Sequence, residues 1–230
     1  MGQVIRANAA PERVEEHVRT TLTRAAARGG EIAEAAQARL SGAVAAIDSA
    51  SALLRATADA EATGWALVLA EDAKADRAIG AVRDAMWNTL GRPKQSPALD
   101  QVFPGGVRTY TAGDPLQQPV LMEVLRSRVV STSAPQWSED LRTGWASEIE
   151  TLRLSYAAAV EAHRPTDAAR TIAEAGYRTT VRSAHARLVA LKRDFLSLGL
   201  TEAQIHEIIP DDSKPTARTE KAPVEPAGTS

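Results

Sequence analysis

Residues 31–54 read EIAEAAQARLSGAVAAIDSASALL. In this stretch Ile32, Ala36, Leu40, Ala43, Ile47, Ala50 and Leu54 recur at steps of three and four residues. That period lines them along one face of an α-helix, whereas a half-buried strand would alternate at every second residue. The same spacing precedes it in Val14, Val18, Leu22 and Ala25. It returns in Trp65, Val68, Asp72, Ala75, Ile79, Val82, Met86 and Leu90. Two later stripes complete the set: Leu141, Trp145, Ile149, Leu152, Tyr156 and Val160, then Val181, Ala184, Leu188, Leu191, Phe195 and Leu198. With almost no strand-like alternation, the fold class is all-α.

Punctuation between the stripes suggests the helix boundaries. Gly29-Gly30 interrupts the first stripe, and two glycines in a helix cost about 1 kcal/mol each against alanine, so a break or kink is expected there. Leu90-Gly91 and Pro93 stop the next stripe, Pro165 stops the third, and Leu198-Gly199 stops the fourth. Long helices are therefore expected at about 31–60, 64–90, 135–163 and 167–198, the third opening on a capping box at Ser133 and Gln136. Four helices of nearly equal length, joined by short links within each pair, predict an antiparallel four-helix bundle. An N-terminal helix would extend it. Residues 91–118, with prolines at 93, 97, 104 and 115, would cross over as a long loop, followed by a short helix near Pro119–Val130. A second capping box, Thr201 to Gln204, opens a short helix ending before Pro210. One bundle domain then spans 11–210, with a flexible stretch at 1–10. The polar, proline-rich 211–230 reads as a disordered tail.

Both Thr89-Leu90-Gly91 and Ser197-Leu198-Gly199 are followed, about a dozen residues on, by two bulky apolar residues and a proline. This hints at a duplication. A competing match, Thr63-Gly64-Trp65-Ala66 with Thr143-Gly144-Trp145-Ala146, requires a different offset. Common helix-ending grammar is the simpler account of both.

Composition excludes more than it assigns. The 230 residues include 45 alanines, no cysteine, 27 basic and 29 acidic side chains, a net charge of −2. Disulfides, thiolate metal sites and cysteine nucleophiles are ruled out. The charge balance speaks against a dedicated nucleic-acid binder. No apolar run approaches the roughly 20 residues of a membrane span, and the start of the chain lacks the apolar stretch of a signal peptide, so a cytoplasmic protein is expected.

Candidate chemistry is sparse. His17, His163, His185 and His206 form no Glu-x-x-His or His-x-x-x-His pair, so neither metal nor cofactor is expected. No phosphate-binding loop, dinucleotide fingerprint or nucleophile elbow is present, and no catalytic residue is assigned. Asp72 is the one acidic residue on a core stripe, with Asp76 one turn on; it is a candidate buried carboxylate. The plainer alternative pairs it with a surface Arg or Lys. Residues 101–115, QVFPGGVRTYTAGDP, put Phe103, Arg108 and Tyr110 on one loop near Trp87. They form a candidate ligand or partner loop, against the plainer reading that Phe103 and Tyr110 plug the end of the bundle. Residues 167–188 resemble a helix-turn-helix segment only superficially, with Arg178, Arg182 and Arg187 as its would-be DNA contacts.

These features point to a non-enzymatic structural, adaptor or assembly protein acting through protein contacts. Val14, Val18 and Leu22 form a partner-facing stripe, and self-association is expected. The alternatives are an amphipathic-helix binder of an apolar surface or ligand, DNA binding through 167–188, and a small-molecule site or enzyme at the bundle–loop junction.

Overall fold

The computed structural model describes residues 9–210; the tail at 211–230 and most of the expected flexible N-terminus lie outside them. Helices follow one another without a strand among the described residues: α1 Pro11–Arg28, α2 Gly30–Thr89, α3 Pro97–Val102, α4 Arg108–Thr111, α5 Gln118–Ser131, α6 Glu139–Ser197 and α7 Glu202–Ile208. A 3-10 turn, Pro115–Gln117, leads into α5. The all-α class is as the spacing predicts.

The four matched helices are replaced by two very long ones. Helix α2 has 60 residues and α6 has 59, each about 90 Å at 1.5 Å per residue. The break expected at 61–63 does not occur, and Gly64, expected to open the second long helix, is inside α2. A Cβ there would lie 3.1 Å from Thr166 Oγ1 and 3.3 Å from His163 Nδ1, so the glycine allows the facing helix to come close. Pro165 is inside α6. Its ring stands on the exposed side, where the Glu161 carbonyl it leaves without an N–H donor is within reach of water. Thr166 Oγ1 donates to the His163 carbonyl at 2.6 Å and holds the turn. The capping box at Ser133 does not form either: α6 starts later, capped by Ser138, whose hydroxyl accepts from the Leu141 amide at 3.3 Å.

Other signals hold. The first break falls at Gly29, which takes φ +71 and joins α1 to α2. Both long helices end in the same Schellman turn. The amide of Arg92 donates to the Trp87 carbonyl and that of Gly91 to Asn88; Leu200 and Gly199 repeat this on Phe195 and Leu196. Gly91 and Gly199 sit at φ +78 and +84, the left-handed position that glycine adopts without a Cβ penalty. The Thr201–Gln204 capping box is formed in full.

The chain divides into two compact units. Of the described residues, unit 1 comprises 9–51 with 175–210, and unit 2 comprises Ala52–Glu174. Within unit 1, α1 packs on α7. The first part of α2 runs antiparallel to the last part of α6, with Arg39 pairing to Asp194 at 2.7 Å. Within unit 2, α5 packs on α3, and the last part of α2 runs antiparallel to the first part of α6, with Trp137 Nε1 donating to Thr89 Oγ1 at 2.9 Å.

Each unit therefore repeats one plan: a leading helix, two long-helix segments and a short capped helix. The buried positions correspond. Ala75, Ile79, Val82 and Met86 in α2 match Ala184, Leu188, Leu191 and Phe195 in α6, all buried. Val14, His17 and Thr21 of α1 match Met122, Leu125 and Val129 of α5. Leu99, Val102 and Phe103 match Ile205, Ile208 and Ile209, each set followed by a proline. Shared helix grammar alone does not require this agreement in burial, so the Leu-Gly hint marks a repeat of structure. The Thr63 and Thr143 match does not: Gly64 lies deep in α2, and Gly144 lies near the start of α6.

Candidate functional site

Three places in the fold bring together the residues singled out by sequence. The first is the seam of unit 2 around Asp72. Tyr156 is fully buried, and its hydroxyl donates to Asp72 Oδ1 at 2.8 Å. Asp72 is half-buried and among the described residues pairs with neither Arg nor Lys; its partner is a phenol across the helix seam. One turn on, Asp76 has its Oδ1 buried without a hydrogen-bond partner. Burial first, and then the charge of Asp72, hold the Asp76 carboxyl above the ordinary range. Burial, followed by the hydrogen bond and the charge of Asp72, pushes the Tyr156 phenol far above its ordinary value. In unit 1 the places of Tyr156 and Asp72 are taken by the apolar Ile47 and Val181, so this polar cluster belongs to one copy of the plan alone. Sequence inspection finds Asp72 because it breaks a stripe; Tyr156 passes as an ordinary core residue.

The second place is the crossover between α2 and α5. Phe103 and Tyr110 are buried and meet edge to face at 5.8 Å between ring centroids. Tyr110 donates its hydroxyl to the Val102 carbonyl at 2.8 Å and receives Arg128 Nη1 at 2.9 Å. Gln118 Nε2 donates to the Tyr110 carbonyl. Burial raises the Tyr110 phenol, with Arg128 opposing. Trp87 packs against the same core, donates its indole N–H to the Pro93 carbonyl at 3.0 Å, and lies beneath the guanidinium groups of Arg83 and Arg92. The two aromatic rings thus plug unit 2 and are not presented to a ligand. Arg108 alone of that set remains exposed.

The third place is the outer side of the leading helices. Val14 and Val18 of the expected partner-facing stripe are buried by their own chain and Leu22 is half-buried. Cover within one chain removes the reason for assigning a partner to that stripe. Helix α1 is amphipathic: its opposite side carries Glu12, Glu16, Arg19 and Thr23, all exposed. Helix α5 buries Gln118, Met122, Leu125 and Val129. Where α1 has Glu12 and Glu16, it presents Val120, 61% exposed, and Val124, 41% exposed, with Val130 nearby at 48%. The sequence shows these valines plainly, but only the buried side of α5 reveals that they lie on the other face.

The remaining expectations fall as follows. Helix α6 runs unbroken through Gly176, so residues 167–188 contain no turn between two helices; Arg178, Arg182 and Arg187 are exposed along one helix. Among the described residues no group of three His, Asp or Glu side chains could hold a metal ion. His163 is buried against Trp65, their rings 5.3 Å apart. No described helix is long and apolar enough to cross a membrane.

No protein-family model matches this chain, and neither a curated protein nor a solved structure shows significant similarity to it.

Proposed function

We propose that this chain is a non-enzymatic scaffold that acts through protein contacts, with the outer face of α5 as the docking surface. The observation that supports this reading is the two-faced character of α5. A helix on the surface of a bundle ordinarily buries one stripe and solvates the other. Its counterpart α1 does so, with Glu12 and Glu16 outward. Val120 and Val124 occupy those positions in α5, are set a full turn apart and are exposed. They satisfy no demand of the chain's own core. Covering the exposed part of each valine would contribute on the order of 1 kcal/mol, enough to favour a partner when several act together.

The test grafts the α1 surface onto α5. The double variant Val120→Glu/Val124→Glu is compared with the parent by sedimentation velocity and by photo-cross-linking from Ser127 in extract of the native source. Surface changes of this kind leave stability within about 0.5 kcal/mol. The expected result is an adduct or self-associated species formed by the parent and lost in the variant at unchanged thermal midpoint. Identical adducts and identical sedimentation for both proteins would refute the reading.

A further inference from the structure

Unit 1 contains an open groove of about 210 Å³ between its α2 and α6 segments. Ala43 and Ala46 form one wall, and Thr179, Thr180, Ser183, Ala184 and Arg187 form the other. The repeated plan shows that this hollow is not an obligatory feature of the packing. In unit 2 the place of Ala43 is taken by Leu152, and the places of Ala46, Thr180 and Ser183 by Ser155, Glu71 and Lys74. Those three are joined to one another: Ser155 Oγ donates to Glu71 Oε2 at 2.8 Å, and Lys74 pairs with the same carboxylate. At these four of the seven lining positions unit 2 therefore carries a larger side chain than unit 1.

The groove has a defined polarity. Arg187 has no counterpart charge in unit 2, where Ala78 occupies its place. Its Nη1 donates to the Arg39 carbonyl at 3.4 Å, at the long end of hydrogen bonding. Gly42 lies beneath it, since a Cβ there would be 3.6 Å from Nη1. Arg39, by contrast, is engaged with Asp194 through two bonds, and Arg19 and Arg28 are each paired with a carboxylate. Among the described residues Arg187 has no carboxylate partner. Thr179 and Thr180 turn their hydroxyl protons back to the carbonyls of Ala175 and Gly176 at 2.9 and 3.0 Å, which leaves Arg187 and the Ser183 hydroxyl as the donors at the groove. A planar guanidinium with open donors beside a hydroxyl matches the oxygens of a tetrahedral or carboxylate anion.

We propose that the groove of unit 1 binds a small oxyanion, a phosphate or the carboxylate head of a compact molecule, through Arg187 and Ser183. Its volume is below the 300–1,000 Å³ or so of drug-sized ligand sites, which limits the ligand to a compact group. This inference is independent of the α5 face, which belongs to unit 2.

Titration of the full chain with inorganic phosphate, and separately with acetate, against chloride at constant ionic strength tests it by amide-resolved NMR. Saturable shifts at residues 43–46 and 179–187 are expected with at least one of the two anions, and which one distinguishes the two head groups. Arg187→Gln should weaken binding tenfold or more, while Arg182→Gln, on the same helix but outside the groove, leaves it unchanged. Ala43→Leu, which grafts the side chain of unit 2, should also abolish it. Shifts that fail to saturate with both anions, or that persist in Arg187→Gln, overturn the proposal.

Discussion

Replacing Asp76 with Asn should stabilise unit 2 near neutral pH and lose its effect in acid. Asp76 Oδ1 is buried without a partner, and Asp72 carries like charge one turn away. A buried polar atom left unsatisfied costs about 1–3 kcal/mol and more when it is charged, and Asn, whose amide keeps a polar atom in the same place, relieves only the excess due to the charge. Asp76 as a whole is only partly buried, so the lower end applies. The like-charge i, i+4 pair adds ~0.2–0.5 kcal/mol. Asn removes the charge with little change in shape, so a gain of about 1 kcal/mol follows, or roughly 2–4 °C in midpoint for a chain of this size. Because the folded-state value of Asp76 is raised, the folded protein holds the proton more tightly than the unfolded chain. Its penalty is fully present above the folded value. It fades as pH falls through that value toward the unfolded reference of about 3.9.

The assay is urea denaturation followed by tryptophan fluorescence. All four tryptophans, Trp65, Trp87, Trp137 and Trp145, lie in unit 2, so the signal reports that unit alone. Curves are recorded near pH ~7 and below pH ~4, on either side of the expected titration. A gain near neutrality that shrinks in acid supports the account. A loss of stability near neutrality, or an equal gain at both pH values, would refute it.

Four further substitutions test other parts of the structure. Tyr156→Phe removes the donor to Asp72 and should cost about 1–2 kcal/mol, read in the same fluorescence assay; no loss would show that water replaces the phenol freely. Gly176→Ala, inside α6 with open space around its Cβ, should gain up to about 1 kcal/mol, whereas Gly199→Ala at φ +84 should lose about 1–2 kcal/mol, both by urea-dependent circular dichroism. Pro165→Ala should raise stability by about 1–3 kcal/mol in the fluorescence assay, because it restores the donor to the Glu161 carbonyl on an exposed face.

Much of the helix content and core was legible along the chain. Leu40, Ile47, Ile79, Met86, Ile149, Leu188 and Phe195 all stand on the expected stripes and are all buried. The glycine stops at 91 and 199 and the Thr201 cap were equally readable, because each depends on a backbone conformation fixed by a few neighbouring residues. The candidate site was legible in part. Asp72 stood out as a charge on an apolar stripe, but its partner Tyr156 lies 84 positions along the chain. Nothing local marks that pairing. The roles of Phe103 and Tyr110 were likewise open until burial placed them inside the core of unit 2.

By itself the sequence determined that the chain is helical, which faces of the helices are apolar and where the glycine-terminated helices stop, since period and backbone freedom are local properties. Only the tertiary structure decided that α2 runs unbroken through 61–64 and α6 through Pro165. A close helix approach at Gly64, a solvent-facing ring at Pro165 and burial on both sides outweigh the local penalties. The same packing decided that one plan is built twice, with different chemistry at its seams. In unit 1 the alanines and Arg187 line a groove; in unit 2 Leu152 and a salt-bridged network stand at the corresponding positions. That distinction depends on which side chains meet across two helices, and helical period alone does not specify it.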